Sequence, residues 1–397
     1  MLEVAVRPLG QDVRASALAF AGSRLLVWIA GAGAFLVAGN GPDRKFDFLG
    51  LSGHLGTVGD VLAAPVVRWD AIWYLHIAEH GYPRTTEAAY FPGYPLAIHA
   101  VAWVTRSAVI AAALVSLVAF FAALVALHRL TELELGADAA RRTVVLIAFF
   151  PTALFFSAAY TESLFLALSV GVLLAARRER WALAGALGAL AAATRSSGVL
   201  LIVPAALMYA SAARARREAG TGGPGGDAAW LLLIPAGLAA YLVASQLMLG
   251  DALATASAQD HFHRSFAGPF SGVWRGFGES GHALDAITGG HLTAAALRKL
   301  ALLGTALAAL GASVGVFRRL GAAYGAYTVL ALAAGLSTPQ AGHPLSSSPR
   351  YVLTVFPLFM WLGALLDDRR AFLGVAAVFA VGLAYCSALF ATWHFVA

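Results

Sequence analysis

Eleven apolar runs alternate with polar connections along the 397-residue chain. The first covers Ala15 to Gly39 and is interrupted by Arg24 near its start. The others are Ser107–Leu127, Thr143–Ser157, Ser163–Ala176, Trp181–Ala193, Gly198–Ala210, Ala229–Leu249, Ala294–Phe317, Leu320–Gly335, Tyr351–Leu366 and Ala371–Phe395. About 20 apolar residues cross a bilayer as a helix. The pattern therefore predicts an all-α, polytopic integral membrane protein, a single bundle over residues 1–397 with about eleven transmembrane helices. Several runs fall short of a full span, which predicts helices longer than their uncharged cores or broken near one face. The first run is too long for a signal-peptide core, so it is expected to remain as a helix.

Charge placement orients the bundle. With the N-terminus in the cytoplasm, the short inner connections hold fifteen basic residues, among them Arg129, Arg141, Arg142, Arg177, Arg178 and Arg180. The outer segments are longer in total and hold eleven. This bias favours a cytoplasmic N-terminus and an external C-terminus. The alternation then requires that Ala89–Thr105 does not cross. It is expected to lie on the outer face as an interfacial helix, with Tyr90, Tyr94 and Trp103 at headgroup depth. Two long outer segments stand out, 40–106 and 250–293. Long connections rich in aromatic residues point to function rather than disorder.

Composition removes other classes. Sixty per cent of residues are apolar, 12% are charged and the mean hydropathy is +0.75. A soluble enzyme and a disordered chain are both excluded. The net charge of +6 comes mainly from arginines, with lysine only at Lys45 and Lys299. They cluster between apolar runs, which is a topology signal and not a nucleic-acid surface. Membrane lipids are the expected surroundings. The single cysteine, Cys386, lies in an apolar run, so neither a disulfide framework nor a cysteine metal site is expected.

The densest polar and aromatic segment is Arg68-Trp69-Asp70-Ala71-Ile72-Trp73-Tyr74-Leu75-His76-Ile77-Ala78-Glu79-His80-Gly81-Tyr82-Pro83. A helical register puts Trp69, Trp73 and His76 on one face and Asp70 on another. Asp70 fits two descriptions. It is a helix-start acid complementing the dipole, or a carboxylate at the mouth of a cavity where low dielectric makes it a useful base.

The same segment, followed by Tyr90-Phe91-Pro92-Gly93-Tyr94-Pro95-Leu96, resembles the PIG-V-type mannosyltransferases. Further blocks follow in order. Pro151 to Phe165, including Tyr160-Thr161-Glu162-Ser163, is similar to a conserved box of that family. Thr194-Arg195-Ser196-Ser197-Gly198 is similar to its T-R-S-N-G block, with Ser197 where Asn is usual. Gln259 with Arg264 loosely resembles its A-Q-x-x-W-x-R element, and Arg350-Tyr351 with Phe356-Pro357-Leu358 its C-terminal box. Five blocks in order are far more specific than one.

The resemblance implies a GT-C-type helical bundle that moves a hexose, mannose in this family, from a polyprenyl-phosphate donor to a glycolipid or glycan. It implies an extracytoplasmic site with the catalytic Asp in the first outer loop, and inversion at the anomeric carbon. Asp70 falls in that loop. It is then the expected general base. Arg195, Arg350 and Arg264 are the expected donor-phosphate ligands, because guanidinium suits phosphate geometry; Arg195 and Arg350 also fit snorkelling or interfacial anchors. Trp69, Tyr74, His76, Glu79, Tyr160, Glu162, Gln259 and Tyr351 are the expected sugar or acceptor contacts, with Glu162 alternatively a partner for Arg195. No D-x-D spacing occurs in the outer segments, so no cofactor is expected, while a divalent cation stays open. The heavy use of Ala, Gly and Arg points to a bacterial cytoplasmic membrane. Two alternatives remain, a secondary transporter and a non-catalytic subunit of a glycolipid assembly complex.

Overall fold

The computed structural model describes residues 10–50 and 56–396. Among them there is no strand, and seventeen α-helices are joined by short turns. Helix α1 covers Gly10–Ala38. The first long segment folds into α2 (Gly56–Ala63), α3 (Asp70–His80) and α4 (Gly93–Thr105). Then follow α5 (Ala108–Leu135), α6 (Ala137–Phe149), α7 (Glu162–Arg177), α8 (Trp181–Thr194), α9 (Ile202–Glu218) and α10 (Leu233–Leu249). The second long segment holds α11 (Ala254–His261) and α12 (Ser271–Thr288). The chain closes with α13 (Ala294–Leu320), α14 (Ala322–Leu336), α15 (Ser348–Leu353), α16 (Phe356–Leu365) and α17 (Arg369–Ala391).

Every apolar run is helical for most or part of its length, with breaks after Phe149 and after Leu353, and full span length is reached less often than expected. Six helical stretches are long and apolar enough to cross a membrane: Gly10–Ala38, Ala108–Leu135, Ser196–Glu218, Gly226–Leu249, Ala294–Leu320 and Arg369–Ala391. In two of them a 3₁₀ turn precedes the α-helix, at Ser196–Leu201 and Gly226–Leu232. Helices α8, α14 and α16 are apolar but shorter. The bundle is an integral membrane protein built from full spans and partial ones.

The break after α6 has a local cause. Pro151 disfavours helix at the residue before it, and the chain from Phe150 to Thr161 leaves the α-helix and runs through the buried core with one 3₁₀ turn at Ala153–Phe156. Its backbone polar groups need partners where no water reaches. Arg24, on α1, supplies them. It is buried and donates to the carbonyls of Ala153 (2.9 Å) and Ala148 (3.3 Å) and to Ser157 Oγ (2.6 Å). Ser116 Oγ donates to Ala158 O, and Ala159 N donates to Val66 O. The interruption in the first apolar run is thus the clamp for a broken helix 130 residues away in sequence.

Helices α1 and α17, α5 and α7, and α8 and α10 pack side by side. Their alternation collects the arginine-bearing turns at one end of the bundle and both long segments at the other. The expectation for residues 89–105 is corrected in part. Helix α4 forms there with Trp103 exposed, but Tyr90 and Tyr94 point into the protein core and not to its surface. Tyr94 instead shares a hydrogen bond with Ser116 Oγ at 2.7 Å. Gly93 at the start of α4 lies against Thr194 and Ala193 so closely that a Cβ would collide. That approach sets the first long segment directly against the end of α8, beside Arg195.

Candidate active site

Helix α3 begins abruptly. Trp69 stands at φ +57°, a left-handed value rare for a bulky side chain, and Asp70 is the first helical residue. Tyr160 enforces this corner. Its hydroxyl accepts from Asp70 N at 3.1 Å and donates to Arg68 O at 3.2 Å. Arg68 is held in turn, with its Nε donating to Ala391 O at the end of α17. Strain of this kind persists only where the surroundings fix it, and it aims the Asp70 carboxylate inwards.

That carboxylate meets Arg350 from α15, with Nη1 to Oδ2 at 2.8 Å. On its other side, Arg350 Nε lies 2.9 Å from Glu162 Oε1, and the same oxygen accepts from Arg195 Nη1 at 2.7 Å. Four charges from α3, α7, α15 and the turn after α8 thus form one chain, Asp70–Arg350–Glu162–Arg195. Glu162 is wholly buried, while the Asp70 side chain keeps 34% of its exposure. The buried acid is therefore structural in position, and the exposed one is available. Burial alone would lower the Arg350 guanidinium, but Glu162 and Asp70 outweigh it and hold Arg350 well above its ordinary value, so it stays charged. Tyr90 Oη donates to Asp70 Oδ1 across 3.4 Å. Burial, reinforced by the Asp70 charge, pushes the Tyr90 phenol well above its ordinary value, so it acts as a donor.

These groups open on a cavity of about 1020 Å³. Its walls carry Trp69, Asp70, Tyr74, Tyr160, Arg195, Gln259, Arg264, Arg350 and Tyr351. Nine of the twelve residues expected from the sequence therefore converge on one space. Arg264 differs from the other two arginines. It donates to Tyr351 Oη and Ser347 Oγ, each at 2.7 Å, and pairs with no carboxylate among the described residues. Phe46 and Phe48 close the outer rim over Trp69 and Trp73, with ring centroids 5.2 and 4.6 Å apart. Ser197 also lines the cavity. No group of three or more His, Cys, Asp or Glu side chains is disposed to hold a metal among the described residues.

Three expected contacts do not reach the cavity. Glu79 is exposed on the far side of α3. His76 faces Glu87 across 3.7 Å and stacks on His80. Glu162 lies behind Arg195 and Arg350, so its place is that of their partner and not of a sugar ligand. The sequence grouping put His76 with Trp69 and Trp73 on one helical face, but only the two tryptophans line the cavity. It also missed Arg298, Lys45 and His343 in the cavity wall. These stand in segments matching no block, and only a cation beside an apolar run hinted at Arg298.

Residues 53–213 match the family model described as mannosyltransferase (PIG-V). That stretch, about two fifths of the chain, is what the chain shares with the PIG-V mannosyltransferases. Among curated proteins, the chain is 34% identical over 175 residues to GPI alpha-1,6-mannosyltransferase 2 of Mus musculus, covering 40% of this chain and 36% of that protein. It is 30% identical over 162 residues to the protein of the same name from Homo sapiens, covering 38% of this chain and 33% of that one. The chain thus matches about a third of the length of these relatives. The PIG-V stretch contributes Asp70, Tyr160, Glu162 and Arg195, whereas Gln259, Arg264, Arg350 and Tyr351 come from outside it. The cavity is assembled from both parts.

Proposed function

We propose that the protein is a membrane glycosyltransferase that moves mannose from a polyprenyl-phosphate donor to a glycolipid or glycan acceptor, on the extracytoplasmic face. The observation that carries this reading is the half-buried carboxylate of Asp70, 2.8 Å from Arg350, in a cavity that also holds an arginine without an acidic partner among the described residues. The PIG-V match and the similarity to named mannosyltransferases support the sugar.

The chemistry follows from the charges. The acceptor hydroxyl attacks the anomeric carbon, the bond from that carbon to the phosphate oxygen breaks, and the electron pair leaves on the phosphate. The hydroxyl proton passes to Asp70 as general base. Positive charge grows on the sugar and negative charge on the phosphate in an oxocarbenium-like state. Asp70, Glu162, Arg195 and Arg350 are two acids and two bases, so on their own they offer a phosphate no net attraction. Arg264 supplies the unbalanced positive charge, oriented by Tyr351 and Ser347. Arg350 stands between base and phosphate site. A donor phosphate drawing Arg350 towards itself weakens its hold on Asp70 and so raises the basicity of that carboxylate. Aromatic rings at Trp69, Tyr74 and Tyr160 give the apolar faces against which a pyranose packs.

The test is a comparison of lipid and glycan extracts from cells with and without the gene, paired with transfer by the purified protein from a labelled polyprenyl-phosphate mannose. The proposal expects a single hexose lost from one extracted species and transfer from the lipid donor but not from a nucleotide sugar. An unchanged extract together with no transfer from the lipid donor contradicts it.

A further inference from the structure

The cavity has a second cation that the chain of charges does not use. Arg298, in the second turn of α13, lines the cavity and belongs to none of the family-like blocks. Its guanidinium lies 5.2 Å from the ring centroid of Phe395, and Phe395 packs edge-on to Trp69 at 5.2 Å. Trp69 directly precedes Asp70, and its indole nitrogen has no hydrogen-bond acceptor among the described residues. The titratable groups that face Arg298 are Tyr385 and Cys386 of α17, and among the described residues no carboxylate does so. An arginine so placed within a membrane-spanning helix is costly unless something anionic meets it.

The surroundings indicate what that is. Helices α13 and α17 make few contacts with each other; α17 packs on α1 and α6, and α13 on α12, α14 and α16. Below Arg298, Val378, Val381 and Tyr385 are exposed at 69%, 71% and 62% and follow one face of α17. On α13, Leu297 and Leu307 are exposed as well. One guanidinium therefore stands at the head of one apolar stripe and beside the rim of a polar cavity. This is the complement of a single long hydrocarbon chain ending in one phosphate.

We propose that Arg298 and Phe395 form a side portal between α13 and α17. Through it a polyisoprenyl phosphate presents its headgroup to the cavity while its chain lies along Val378, Val381 and Tyr385. The inference rests on the lipid-linked donor reading and names where that donor enters. Arg298 meets the phosphate first, and Arg264 and Arg350 receive it nearer Asp70.

The test uses the full chain in nanodiscs containing phosphatidylglycerol, titrated with labelled, sugar-free polyprenyl phosphate. Arg298→Gln is expected to weaken binding about tenfold or more, the scale of one charge-assisted hydrogen bond, and Arg298→Lys to recover part of it. Val381→Trp, which fills the stripe and leaves the guanidinium, is expected to weaken binding too. Transfer from the mannose-charged lipid should show a raised KM in the same variants. Equal binding by wild type and Arg298→Gln overturns the portal, as does displacement of the label by phosphatidylglycerol. If the wild type transfers mannose and Arg298→Gln keeps its KM, the portal falls and the transferase reading stands. If the wild type binds the lipid phosphate through Arg298 and transfers nothing, the portal stands and the transferase reading falls.

Discussion

The two ends of this bundle use the same residue types for different purposes. At the arginine-rich end, Arg177 pairs with Glu134, Arg214 with Glu218 and Arg216 with Glu179, all with at least one partner well exposed. Such pairs contribute little, about 0–1 kcal/mol. They balance the helix ends and mark topology. At the cavity end, Glu162 is wholly buried and bridges two arginines, one of which also holds Asp70. Burial turns an ordinary ion pair into a device that fixes geometry, because every member must keep its partner. Counting charges along the chain would rank the arginine-rich end as the more electrostatic one. Exposure reverses that order, and it separates a solvated rim from a site.

The comparison can be broken at four points. The largest effect is expected at the exposed acid: Asp70→Asn should lower the rate of transfer about 10²–10⁴-fold, the range of a lost general base, with little change in thermal stability. A full rate in this variant would return Asp70 to the status of a helix-start acid. Next is the buried acid. Glu162→Gln leaves Arg195 without a carboxylate and should cost about 3–5 kcal/mol of stability, seen as a lower unfolding midpoint in detergent. Arg264→Gln should reduce kcat/KM for the lipid donor about 10–100-fold with the fold intact, because it removes a cavity cation that no acid balances among the described residues. Smallest is the control at the opposite end. Glu218→Gln, in the pair with Arg214 that is exposed on both sides, should change stability by about 1 kcal/mol or less and leave transfer unchanged. An effect there as large as at Glu162 would mean that exposure does not separate the two ends.

The fold was legible to the extent that hydropathy decides it. Each apolar run is helical over much of its length, since helix satisfies the backbone across a membrane. What the runs did not show is which helices stop short. The break after Phe149 depends on Arg24 reaching across from α1, and a contact of that separation leaves no periodic trace. The site was legible where chemistry-bearing residues cluster in sequence. Asp70, Tyr160, Arg195 and Arg350 all meet in the cavity. It was illegible where burial assigns the role. Glu162 and Asp70 are both acids near a helix start, and only the three-dimensional packing makes one a buried bridge and leaves the other open. A helical register puts His76 on the face of Trp69 and Trp73, yet the two tryptophans line the cavity while His76 turns to Glu87 and His80.

The central claim is that transfer takes place in the cavity and that this end faces away from the cytoplasm. It is tested most directly by single cysteines in a Cys386→Ala background, treated in intact cells with an impermeant thiol reagent. His343 lines the cavity and is exposed, and Thr221 is exposed in the arginine-rich turn after α9. The account predicts that His343→Cys is modified, that modification stops transfer, and that added lipid donor slows it, while Thr221→Cys is left unmodified. Modification of Thr221→Cys with His343→Cys untouched, or full transfer by modified His343→Cys, would contradict it.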